Sequence, residues 1–141
     1  MMNFFLFYTL IATAQAQSCP TINGIFKCQG SGNSYQIQVS TDVDDQTGAP
    51  RYHFQGPAQG GTEVIADGQE RALATKTQHG SVRGDCQAER LIAYFNLLDE
   101  SGHTTVFKDE MYMERKALVR IRFMGPTAST FVCRPVFAHP E

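Results

Sequence analysis

Four cysteines, Cys19, Cys28, Cys86 and Cys133, are spread along almost the whole chain, and what they do limits every fold it can adopt. A zinc site needs cysteine and histidine at short spacings such as Cys-x2-Cys. Here the first two cysteines are nine apart, and His53, His79, His103 and His139 stand singly, so no metal is expected. A redox pair needs Cys-x-x-Cys, which is absent. An even number of cysteines in a short chain reads as two disulfides formed in an oxidising compartment, with no thiol left over as a nucleophile.

The N-terminus supports that compartment. In MMNFFLFYTLIATAQAQSC an apolar run, Phe4 to Ala12, precedes Ala14-Gln15-Ala16. This is the layout of a signal peptide over residues 1–16, although no Lys or Arg precedes the run. The leucine-bearing box of a lipid-anchored leader is missing before Cys19, and no later segment reaches the ~20 apolar residues of a transmembrane helix. The mature chain from Gln17 onward is therefore expected to be exported, to the periplasm or the extracellular space, without a membrane span.

One folding unit is expected over residues 17–141, which is large enough to bury roughly 65% of its unfolded surface. The formal net charge of −2 gives no whole-molecule attraction to nucleic acid. Acids gather between Thr41 and Glu70, whereas Arg115, Lys116, Arg120, Arg122 and Arg134 crowd the C-terminal part.

Alternating apolar and polar residues, cut by Gly, Pro, Asn and Asp every eight to twelve positions, predict antiparallel strands joined by hairpins. Gly24 to Gln29 pairs with Ser34 to Thr41, placing Phe26, Cys28, Tyr35, Ile37 and Val39 inward. A third strand holds Tyr52 and Phe54, and Asp67-Gly68 turns Thr62 to Ala66 into Glu70 to Thr77. Gln78 to Asp85 reads as an irregular loop. Cys86 to Leu98 then pairs with His103 to Glu114. Ala117 to Phe123 is read with Val119, Ile121 and Phe123 inward and Arg120 and Arg122 outward, before a last strand within Ser129 to Phe137.

The fold class is all-β: a single-domain antiparallel up-and-down barrel or rolled sandwich of about nine strands, lipocalin-like in size, since closure removes exposed edges. If the first and last strands adjoin, Cys28 to Cys133 closes the seam and Cys19 is left to Cys86. Two other connectivities remain open. Tyr35, Phe54, Phe95, Phe107, Met111, Met113 and Phe123 have enough bulk to fill the interior.

Signals of catalysis are missing. There is no Gly-x-Ser-x-Gly and no phosphate-binding glycine loop. The carboxylate pairs Asp44/Asp45, Asp99/Glu100 and Asp109/Glu110 fall in turns or outward positions where solvation is the default. Neither an enzyme nor a cofactor is expected. Arg120 and Arg122, with Arg134 on a neighbouring strand, form instead a candidate basic patch for an anionic envelope ligand or a protein partner. The competing role is to cover the exterior and pair with Glu110 or Glu114.

Ser31-Gly32-Asn33-Ser34-Tyr35 resembles the Ser-Gly-x-x-Tyr pattern of periplasmic inhibitors of animal-type lysozyme. The resemblance implies a disulfide-bearing barrel that inserts a loop into an enzyme cleft, with Ser31 and Tyr35 as contacts. The family's second element, Tyr-x-x-x-Thr-Lys-Gly, has no counterpart, since Thr75-Lys76-Thr77 lacks both the tyrosine and the glycine. The reading is a noncatalytic binding module for a small or anionic ligand, with a hydrolase inhibitor as the alternative.

Overall fold

Tight turns and period-two alternation organise the described residues into ten antiparallel strands in a single sheet. The computed structural model describes residues 18–56, 61–74 and 78–136; the segment expected to be a signal peptide lies outside them. In chain order the strands are β1 (Gly24–Gly30), β2 (Asn33–Val43), β3 (Pro50–Gln55), β4 (Thr62–Ile65) and β5 (Glu70–Ala74). They continue as β6 (Gln78–Gln87), β7 (Arg90–Asp99), β8 (Thr104–Glu114), β9 (Ala117–Met124) and β10 (Thr127–Pro135). No helix is present among the described residues.

Neighbours in the sheet run β4-β3-β2-β1-β10-β9-β8-β7-β6-β5, so the first and last strands meet in its middle. Cys28 lies opposite Cys133 in that pairing, and the two form a disulfide; the other joins Cys19 to Cys86. The sheet curls into a nearly closed barrel. β4 and β5 do not pair, and contact across this gap runs from β4 and the turn after it to β6, where the Gly68 N–H donates to the Gly84 carbonyl at 2.8 Å. Gly84 is what lets the backbones approach. A Cβ there would sit 2.6 Å from Val64 Cγ1 and 2.7 Å from the Ile65 carbonyl oxygen.

One end of the barrel is plugged by residues 18–23. Cys19 is tied to Cys86, the Tyr52 hydroxyl donates to the Pro20 carbonyl at 2.6 Å, and the Ile22 N–H donates to Thr41 Oγ1 at 2.9 Å. Above this plug Phe26, Val39, Tyr52, Leu91 and Leu118 are buried almost completely, together with both disulfides except half-buried Cys19.

Several expectations need correction. The described residues form ten strands where about nine are expected, because Gln78 to Asp85, read as a loop, belongs to β6. Its inward positions Gly80, Val82, Gly84 and Cys86 alternate as a strand's should, but two of them are glycines that pack backbone to backbone. The long strand expected from Cys86 to Leu98 is broken at Ala88-Glu89, where both residues take left-handed φ of 51° and 61°. Neither is a residue that favours such a turn, so composition did not mark it. Phe123 faces outward, with the Lys108 ammonium 4.6 Å from its ring, and Val119 and Ile121 share that outer face.

Two measurements probe this architecture. Gly84→Ala should lower the urea midpoint by an amount worth about 1 to 3 kcal/mol with little change in slope, since the added methyl group must push β4 from β6. Non-reduced protein should show no reactive thiol, and reduction should destabilise it by up to about 4 to 5 kcal/mol for the longer loop alone.

Candidate functional site

On β8 the interior face reads Phe107, Asp109, Met111, Met113, so alternation carries a carboxylate into an apolar row. Asp109 has no solvent exposure. An isolated buried carboxylate is prohibitively costly, and the neighbouring strand supplies its counter-charges. In β9 Leu118 sits opposite Cys133, which fixes the inward set as Leu118, Arg120, Arg122 and Met124. Arg122 lies opposite Asp109, and Arg120 opposite Met111.

Arg120 donates to Asp109 Oδ2 through Nε at 3.1 Å and Nη2 at 2.6 Å. Arg122 donates from Nε to Oδ1 at 2.9 Å and from Nη2 to Oδ2 at 3.0 Å. Arg120 Nη1 reaches across the barrel to the Tyr35 hydroxyl on β2 at 3.2 Å. The Arg122 guanidinium lies 4.2 Å over the Phe107 ring, which stacks on Phe95 at 4.8 Å. Tyr35 meets Phe131 edge to face at 5.4 Å. Burial would raise the Asp109 carboxyl, but the Arg122 hydrogen bond and the charges of Arg120 and Arg122 outweigh it and hold the group below the ordinary carboxylate range. Burial likewise opposes the charge on Arg120, yet Asp109 raises its pKa.

Two guanidiniums against one carboxylate leave a single positive charge inside the barrel. Arg120 is sealed more deeply, with 18% of its side chain exposed against 33% for Arg122. Around and above the cluster the inward residues Tyr35, Ile37, Phe54, Leu73, Leu97 and Phe131 are only half-buried. All lie toward the end opposite the plug. Among the described residues the interior thus has a packed base, a charged middle and, toward the other end, a mouth of half-buried apolar residues. Two shallow concavities lie on the outer wall; one is lined by Ile25, Gln36, Gln38, Gln55 and Gly56, the other chiefly by Glu70, Ser81, Arg83, Asn96 and Val106.

The expected outward patch of Arg120, Arg122 and Arg134 does not exist as such. Arg120 and Arg122 point inward, because the Cys133–Leu118 pairing and Asp109 set the parity of β9; Arg134 stays on the outer face opposite Lys27. Ser31 is exposed at the turn between β1 and β2 with φ 50°, whereas Tyr35 points into the barrel, so the two do not present one loop surface. His53 is on the outer wall between Asp42 at 3.2 Å and Glu63 at 3.5 Å. Asp42 is lowered to about 2, chiefly by its hydrogen bond from Arg51. Among the described residues no group of three His, Cys, Asp or Glu is placed to hold a metal ion. Sequence reading assigned Asp109 to solvent. Its phase with Phe107 and Met111 was the signal that it faces inward.

No protein-family model matches the sequence, and no curated protein matches it by sequence. Solved structures do resemble the fold. The REP1-NXSQ fatty acid transporter superposes with a TM-score of 0.58 at 7% identity, covering 83% of this chain and 97% of its own. As-p18, an extracellular fatty acid binding protein, gives a TM-score of 0.59 at 12% identity, covering 85% of this chain and 100% of its own. At such identities the likeness is one of fold.

Because the folded-state pKa of Asp109 is depressed, the stability it confers is present above its unfolded value and lost as pH falls through the folded one. Stability should be flat above about pH 5 and decline below about pH 4. Asp109→Asn should cost roughly 3 kcal/mol at neutral pH, by leaving two guanidiniums without their anion, and should make the acid decline shallower. Urea titrations across pH measure both.

Proposed function

We propose that this protein is an exported, noncatalytic barrel that binds a small amphipathic anion, with a fatty acid carboxylate as the leading case. The observation that carries the reading is the uncompensated positive charge on the Asp109–Arg120–Arg122 cluster beneath a half-buried apolar mouth. Among the described residues Arg122 Nη1 has no hydrogen-bond partner, and this is the edge available to a headgroup. The apolar part of the ligand would lie among the mouth residues, as in small sites lined by apolar groups with a few placed polar ones. The fatty acid binding and transport named for the two fold neighbours support the same class. Export is supported by the two disulfides and the leader-like N-terminus.

A second reading is favoured by the packed base and the outer position of the two concavities described above: a filled barrel whose ion cluster is purely structural. Displacement of a fluorescent fatty acid probe by laurate separates the two. The carrier reading expects saturable binding that Arg122→Gln weakens by about ten- to a hundredfold, the worth of a charge-assisted hydrogen bond, with its fold intact by circular dichroism. Absence of binding and of any laurate-dependent thermal shift favours the filled barrel.

A further inference from the structure

Resting on the carrier reading, we infer that Asp109 is a selectivity element that restricts the interior to headgroups bearing one negative charge. Asp109 does not touch the mouth. It accepts hydrogen bonds from both guanidiniums and so cancels one of their two charges where an incoming anion would otherwise meet both. Arg71, at an inward position of β5 opposite Val82, is paired with Asp67 at 2.6 Å, so it does not alter this count. The strand positions opposite Asp109 and Arg122 on β7 and β10 are Ala93 and Ser129, and the group that reaches the cluster from β2 is the Tyr35 hydroxyl.

The discrimination follows from how the two electrostatic costs scale. Attraction of a headgroup to a fixed single positive charge grows linearly with headgroup charge. The cost of removing the headgroup from water grows as its square. A monoanion neutralises the cluster. A dianion leaves a buried negative charge beside the Asp109 carboxylate, which has no proton to yield because its guanidinium partners hold it ionised. Carboxylates and sulfates are therefore accepted, and the dianionic form of a phosphate monoester is rejected.

The test compares laurate, dodecyl sulfate and dodecyl phosphate, all below their micellar range, by calorimetry on the full oxidised protein. A phosphate monoester loses its second proton near pH 6, so it is largely a monoanion at about pH 5 and a dianion at about pH 8. Dodecyl phosphate should bind at least about tenfold more weakly at the higher pH, while dodecyl sulfate, singly charged throughout, holds its affinity and corrects for changes in the protein. Asp109→Asn, once shown to be folded, should bind dodecyl phosphate at about pH 8 as tightly as dodecyl sulfate. The wild-type pH series decides the matter if that variant does not fold. Equal or tighter binding of the dianion by the wild type overturns the role of Asp109 and leaves the carrier reading standing. Failure of all three amphiphiles to bind overturns both.

Discussion

The pairing of β1 with β10 is the constraint on which the remainder of the barrel depends. Without it the chain is two separate meanders, β1 to β4 and β5 to β10, each with open edges. The paired stretch is short, from Phe26 opposite Pro135 to Gln29 opposite Val132, with one more bond from the Val136 N–H to the Ile25 carbonyl at 2.8 Å. The Cys28–Cys133 disulfide locks it at its centre, acting largely by restricting the unfolded chain. It also fixes parity. A strand that slips by one residue exchanges its inner and outer faces, so two cysteines that must both point inward set the faces of β1 and β10, and pairing carries that choice around the sheet.

The interior charges are a consequence of this parity. With Cys133 inward, its partner Leu118 is inward, and so are Arg120 and Arg122 on the same strand. Hydrophobicity alone would have preferred Val119, Ile121 and Phe123. What compensates is Asp109, brought opposite Arg122 by the β8–β9 register. A buried ion cluster is a poor source of net stability, because desolvation consumes most of the Coulombic gain. On the carrier reading proposed above, its surplus cation at mid-depth serves recognition rather than scaffolding.

Much of the fold was legible in the chain. The β1–β2 hairpin, the inward faces of Phe26, Tyr35 and Leu91, and the barrel class all follow from period-two alternation and glycine-bearing turns. The misreadings have physical causes. β6 was hidden because Gly80 and Gly84 face inward, where a Cβ would strike Asn96 or Ile65 backbone atoms, so close approach removed the apolar signal that marks a strand. The Ala88-Glu89 turn was hidden because tertiary pairing imposes a left-handed backbone on residues that do not favour it. The cluster was hidden because β9 offers two faces of comparable character, and the choice between them is made by β8 and β10.

The two disulfides divide the work of making a container. Cys28–Cys133 closes the wall, while Cys19–Cys86 pins the N-terminal segment across the base, where Ile22 is buried and Tyr52 bonds to Pro20. At the other end the turn between β1 and β2 is only Ser31-Gly32, too short to carry a covering element over the mouth. Among the described residues, residues 18–23 close one end of the barrel and no element spans the other, toward which the surplus charge lies. The electrostatic character of the interior is thus tied to the oxidised state: on the proposed carrier reading, releasing the base would admit water from below, raise the local dielectric and weaken the attraction of Arg122 for an anion.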